Sequence, residues 1–149
     1  MVLSVPLPSA HPRLVAVDHG TRRVGLAMTD PLGLFAQPVG TFPPEGAVAE
    51  LRRLHAAHGL AGIVIGWPLG DDGEEGPAVA RVRPFANRLR RAFPDVPIHE
   101  QDERSSSRRA AAALAEAGVR RKARRKQTGR VDAAAAALIL QDFLDEQRL

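Results

Sequence analysis

Cysteine is absent from this chain of 149 residues, which excludes disulfides and thiolate metal sites. Tyrosine is absent as well, and aromatic residues make up only 4% of the chain. Stacking of single-stranded bases on rings is therefore not the obvious way for it to hold a nucleic acid. No stretch approaches the roughly 18 apolar residues of a membrane span. The segment Met1–Pro12 lacks a basic region followed by a long apolar one, so no signal peptide is expected. Its three prolines predict an extended tail over residues 1–13, and the lack of cysteine fits a reducing cytoplasm.

What is present supports one folded unit. An apolar content of 44% can supply a core for a single domain over 14–149, burying roughly 70% of the unfolded surface. The formal charge is +4 and the isoelectric point near 10.8, a bias toward polyanionic partners.

Leu14–Val17 and Val24–Thr29 are short apolar runs around a basic, glycine-bearing turn, the pattern of a β-hairpin. Phe35–Phe42 predicts a third strand, kept to an edge by Pro38. Glu45–His58 reads as a helix on Val48, Leu51, Leu54 and Ala57, stopped by Gly59. The apolar run Ala61–Gly66 suits a strand buried on both faces. The loop Leu69–Gly76 carries four carboxylates without calcium-loop spacing, so a solvated, mobile loop is expected. A helix from Pro77 with a kink at Pro84, a strand over Val96–Gln101, a helix over Ser105–Ala117 and a last helix over Val131–Gln147 complete the order. Such an order predicts an α/β fold: a mixed five-stranded sheet flanked by helices.

Three acidic positions stand out. Alternation along the first strand sets Leu14, Ala16 and Asp18 on one face and Val15 and Val17 on the other. Asp18 thus ends a buried strand, where an unpaired carboxylate is costly unless a cation comes to it; capping the turn is the simpler role. Asp102 or Glu103 ends another strand, though strand geometry keeps both from pointing into one site. Asp132 opens the last helix, sharing a face with Ala135, Ala136 and Ile139, and the alanines around it permit close approach to the sheet. Carboxylates gathered from such distant parts of a chain repel one another unless a hard cation neutralises them, and Mg²⁺ or Mn²⁺ suits an all-oxygen set. Arg120, Arg121, Lys122, Arg124, Arg125, Lys126 and Arg130 precede Asp132 and are candidates to hold a nucleic-acid backbone, with Arg22, Arg23 and Arg104 nearer the other acids.

Taken together, Asp18-His19-Gly20-Thr21-Arg22-Arg23-Val24-Gly25, Thr29-Asp30-Pro31, Ala36-Gln37-Pro38, Ile65-Gly66-Trp67-Pro68, Asp72-Gly73 with Gly76, Asp102-Glu103-Arg104 and Val131-Asp132 resemble the YqgF/RuvX family over about Leu14–Leu144. Its members are Holliday junction resolvase-like proteins now usually described as pre-16S rRNA nucleases. The resemblance implies an RNase H-like fold, divalent-metal-dependent hydrolysis of phosphodiester bonds, and maturation of the 16S rRNA 5′ end. It also implies an acidic, metal-binding triad of Asp18, Glu103 and Asp132, with Asp102 as the neighbour in question. Trp67 and Ser105-Ser106-Ser107 depart from the family pattern in ways that touch substrate detail more than the acids.

Three functions are compatible with these features. A nuclease on structured RNA leads, with branched DNA as the alternative substrate; paired incision of a four-way junction would need a dimer, and a monomer or weak homodimer is expected. A non-catalytic RNA-binding assembly factor on the same fold is the second. An actin-like ATPase or sugar kinase is the third, but it needs two such domains, for which 149 residues are too few.

Overall fold

A computed structural model describes residues 11–104 and 128–148, with side chains in the last helix from Ala133 onward. The expected tail falls largely outside the described residues, as do the helix over Ser105–Ala117 and the densest basic run.

Five strands form one sheet: β1 (Arg13–His19), β2 (Val24–Thr29), β3 (Ala36–Phe42), β4 (Leu60–Trp67) and β5 (Ile98–Asp102), in the order β3-β2-β1-β4-β5. β1, β2 and β3 form the antiparallel meander, and β4 and β5 add parallel strands beyond β1. Central β1 is covered on both faces, with Val15, Ala16 and Val17 fully buried. β3 is an edge strand, with a register shift at Leu26/Ala27 where Pro38 comes opposite Ala27, so the missing proline N–H falls at an irregularity. β5 begins two residues later than its hydrophobicity suggests, because Pro97 has no N–H to donate; its carbonyl accepts from Ile63 instead.

The two faces of the sheet differ in build. Val15, Val17, Leu26, Ile63 and Ile65 pack beneath α1 (Pro44–His58) and α2 (Pro77–Ala92) in the larger core. On α1 the buried stripe is Ala47, Val48, Leu51 and Leu54, while Ala57 is exposed; the helix also takes in Pro44, which fits the first helical position. α2 runs through Pro84 without a break. The opposite face carries Ala16, Ala27 and Val64, and α3 (Thr128–Gln147) lies on it through Ala136, Ile139 and Leu140. Ala16 and Ala27 are register partners, so their small side chains form a shallow bed for α3. Within α3 the buried stripe runs Ala133, Ala136, Ile139/Leu140 and Leu144, leaving Ala135 half-buried.

Two motif segments prove to be structural. The Asp30 carboxylate accepts the backbone N–H groups of Phe35 (2.8 Å) and Leu34 (2.7 Å), fastening the turn between β2 and β3 and holding Asp30 below the usual carboxylate range. The Ala36 N–H donates to Gln141 of α3 at 3.1 Å, tying the edge strand to the helix.

Candidate active site

Strand spacing governs the geometry at the carboxyl ends of β1, β4 and β5. β4 lies between the other two, so residues ending β1 and β5 are separated by two inter-strand steps, roughly 9.6 Å of backbone. Side chains at Asp18 and Glu103 can meet only by leaning over β4. The register places Val17 beside Ile65, so Asp18 comes level with Gly66, the one β4 residue here with no side chain to obstruct them. A methyl group built on Gly66 would stand 3.0 Å from both the carboxyl carbon and Oε1 of Glu103, and 2.8 Å from Ile139 Cδ1. Glycine at this position is therefore a requirement of space: a carboxylate from one side and a helix from above occupy the volume of a Cβ.

The alternation that puts Ala16 under α3 also puts Asp18 on that face. Along β5, His99 stacks on Phe143 of α3 (5.0 Å between ring centroids) and the Gln101 amide donates to Glu146 of α3 (3.0 Å). Glu103 continues the same parity. Its N–H donates to the Trp67 carbonyl at 3.2 Å, which fixes the backbone just beyond β5 and directs the side chain over Gly66.

Asp102 takes the opposite direction. Arg104 grips its carboxylate through Nε (2.9 Å to Oδ2) and Nη2 (2.6 Å), and Nη1 reaches the Asp71 carbonyl at 3.1 Å. The structure thus brings Glu103 against Asp18, while Asp102 and Arg104 fasten the acidic loop. That loop is exposed, as expected, but pinned: Gly70 N–H donates to the Glu74 carbonyl, and Glu75 pairs with Arg83 of α2.

Burial, the nearby Asp18 carboxylate with its hydrogen bond, and the charge of Asp102 all act in one direction, pushing Glu103 up to about 7. The consequence for stability follows by linkage. Between its ordinary value of 4.5 and about 7, the folded protein holds a proton that the unfolded chain has released, so stability falls as pH rises through this window. In thermal melts without divalent metal, Glu103 is expected to contribute a loss on the order of 1–2 kcal/mol between about pH 5 and 8, after allowance for its partial exposure. Glu103→Gln should flatten that part of the profile; an unchanged slope in the variant would contradict the assignment.

Beside the two carboxylates lies a cleft of about 410 Å³, lined by His19, Gly20, Thr21, Pro68, Arg81 and Glu103 among others. His19 packs on Phe85 of α2 (5.0 Å between centroids), and burial lowers its pKa. It also forms a wall of the cleft. Arg22 and Arg23 are exposed on the hairpin turn next to Gly20 and Thr21, a turn closed by the Gly20 N–H to the Arg23 carbonyl at 2.8 Å.

Asp132 lies on the α3 backbone, one turn before Ala136, but its side chain and that of Arg130 are outside the described residues, as are Arg120, Arg121, Lys122, Arg124, Arg125 and Lys126. Among the described residues no three acidic or histidine side chains gather as a metal-binding group; Asp18 and Glu103 supply two. Sequence reasoning named Gly66 only as part of a motif and did not single out Arg81. A signal for Gly66 was available: a glycine ending a run of large apolar residues in a central strand marks a close approach.

A three-stranded meander extended by parallel strands, with acids at the carboxyl ends of β1 and β5 and helices on both faces, defines an RNase H-like domain. The same fold is seen in T. thermophilus RuvC, solved in complex with a Holliday junction substrate: the TM-score is 0.52 at 15% identity, covering 93% of this chain and 96% of that one. Residues 12–146 match the family model described as RuvX: Holliday junction resolvase, and the chain belongs to that family. A protein of Chlorobium luteolum is 49% identical over 136 residues, 91% of this chain and 96% of its own length. One of Salinibacter ruber is 47% identical over 137 residues, 92% and 95% respectively; both carry the provisional name pre-16S rRNA nuclease. By family the protein is a nuclease.

Proposed function

We propose that the protein is a divalent-metal-dependent nuclease that trims the 5′ end of pre-16S rRNA in the cytoplasm, with Asp18, Glu103 and Asp132 as its metal-binding and catalytic triad. The observation that carries this reading is the approach of Asp18 and Glu103 over Gly66, two carboxylates held together where every influence on Glu103 disfavours its charge. Such a pair suits a hard cation, and its oxygen donors match Mg²⁺ or Mn²⁺. The metal, when bound, would supply activation of a water and stabilisation of the leaving oxygen.

The chain's own residues would do the rest. Asp18 and Glu103 would hold the cation beside the cleft, with Glu103 binding it as the deprotonated carboxylate. Helical spacing supports Asp132 as the third carboxylate: Ala136, Ile139 and Leu140, at i+4, i+7 and i+8, are all buried, and Ile139 abuts Gly66. Asp102 and Arg104 are left out of the triad and the nucleic-acid contacts respectively, since each is engaged by the other. Arg22 and Arg23 remain as backbone contacts at the cleft, and Arg120, Arg121, Lys122, Arg124, Arg125, Lys126 and Arg130 as contacts reaching it from the sequence before Asp132.

Cleavage should be assayed in parallel on pre-16S RNA, single strands and a four-way junction, with Mg²⁺, Mn²⁺ or chelator. The proposal expects metal-dependent cuts in the RNA leader and none with chelator. Paired symmetric incision of the junction with no cut in RNA would instead assign it to branched DNA, and salt-sensitive binding without any cleavage would make it an assembly factor.

A further inference from the structure

We propose that the outer face of α2 holds the nucleic-acid strand as it leaves the carboxylate cleft, a path that rests on the nuclease reading and extends it. The 16 residues of α2 contain five arginines and no carboxylate. Arg83, Arg88 and Arg90 are paired with Glu75, Glu45 and Glu100. Arg81 and Arg91 are exposed, and neither forms an ion pair among the described residues. Position decides what they can do. Arg81 borders the cleft that contains Glu103, together with Ala80 and Pro84. Those same two small residues border a second hollow, which continues along the helix between Arg83 and Arg91. The cleft and the hollow thus share a border formed by Ala80 and Pro84.

From Arg81 to Arg91 the helix rises about 15 Å, the length of roughly four nucleotides at the 3.4 Å rise of one strand in a duplex. Arg83 is held in place by Glu75 and by the Trp67 ring, 5.7 Å below its guanidinium carbon. The hollow's lining offers guanidinium groups and an amide but no aromatic ring. Recognition on this face would therefore be of phosphates, tolerant of sequence, and governed by counterion release.

The test is anisotropy titration of a labelled single-stranded RNA, and of DNA of the same sequence, over a range of salt in the presence of chelator. Removing two phosphate contacts with the double variant Arg81→Ala/Arg91→Ala should weaken binding about tenfold or more near 0.1 M salt, and reduce the slope of log K against log salt by about 1.4. Alanine suits exposed helical positions, so the fold should survive. Arg88→Ala, which removes a single charge from a side chain turned toward Glu45, should stay within about twofold. Loss on either strand chemistry supports the path; an unchanged slope on both overturns it. Because no metal is present and no cleavage is read, failure of the nuclease reading would leave this result standing. Unaltered binding and slope in the double variant would remove the α2 path alone and leave the nuclease reading untouched.

Discussion

Replacing Asp18 by asparagine is expected to cut metal-dependent cleavage about a thousandfold, equivalent to the loss of about 4 kcal/mol of transition-state stabilisation. The substitution is nearly isosteric, so the strand should keep its register against Gly25 of β2. What changes is charge. The new amide could still touch Glu103 by hydrogen bonding, but it would no longer raise that carboxyl by Coulombic repulsion, and one anionic oxygen ligand would be gone. The pair is therefore expected to lose cation affinity while, above about pH 7 where Glu103 is ionised, the fold gains slightly, since a like-charge contact has been relieved. Cleavage rate and melting temperature should move in opposite directions. A fall in both would indicate a folding defect rather than a lost ligand.

Gly66→Ala is the second large effect. The new methyl would meet Ile139 Cδ1 at 2.8 Å and Glu103 at 3.0 Å, closer than carbon contacts allow. Ile139 is 1% exposed, packed between α3 and the sheet, so its terminal methyl has little room to turn aside. Glu103 is the freer of the two and is expected to swing away from Asp18. Overpacking of this kind costs about 1–3 kcal/mol of stability. Displacing a catalytic group by about 1 Å can cost a hundredfold in rate, so cleavage should fall by about that factor even where the protein remains folded at the assay temperature. A circular-dichroism melt and a cleavage assay on the same preparation separate the two effects. Wild-type rate in a folded Gly66→Ala protein would mean that the approach of Glu103 over β4 is not needed.

These two residues show how unevenly the sequence reveals a site. Asp18 was legible because strand alternation is strict: once Val15 and Val17 are assigned to the larger core, Asp18 must share a face with Ala16. The parallel placement of β4 was legible too, from an apolar run bounded by a helix on each side. Choosing between Asp102 and Glu103 was not, because the strand ends between them and alternation alone does not say which parity faces α3. Only long-range contacts decide it, through His99 on Phe143 and Gln101 on Glu146, together with the claim of Arg104 on Asp102. Gly66 escaped for a related reason. Its importance lies in what leans over it from β1, β5 and α3, and none of these neighbours is near it in sequence. The arginines of α2 carry no such signal in the sequence; the shared border of the cleft and the adjoining hollow is what gives Arg81 and Arg91 a direction.

The central claim is that Asp18 and Glu103 meet over Gly66 in order to hold a divalent cation. Calorimetric titration of Mn²⁺ into the wild-type protein and into Asp18→Asn, in buffers of different ionisation enthalpy, tests it most directly. Binding should weaken at least about tenfold in the variant, since one anionic ligand and its share of the attraction are lost. In the wild type, binding should also release protons, a fraction of one near pH 7 and approaching one near pH 6, because Glu103 must surrender the proton it retains up to about 7. Equal affinity in the two proteins, with no proton released at either pH, would contradict the account.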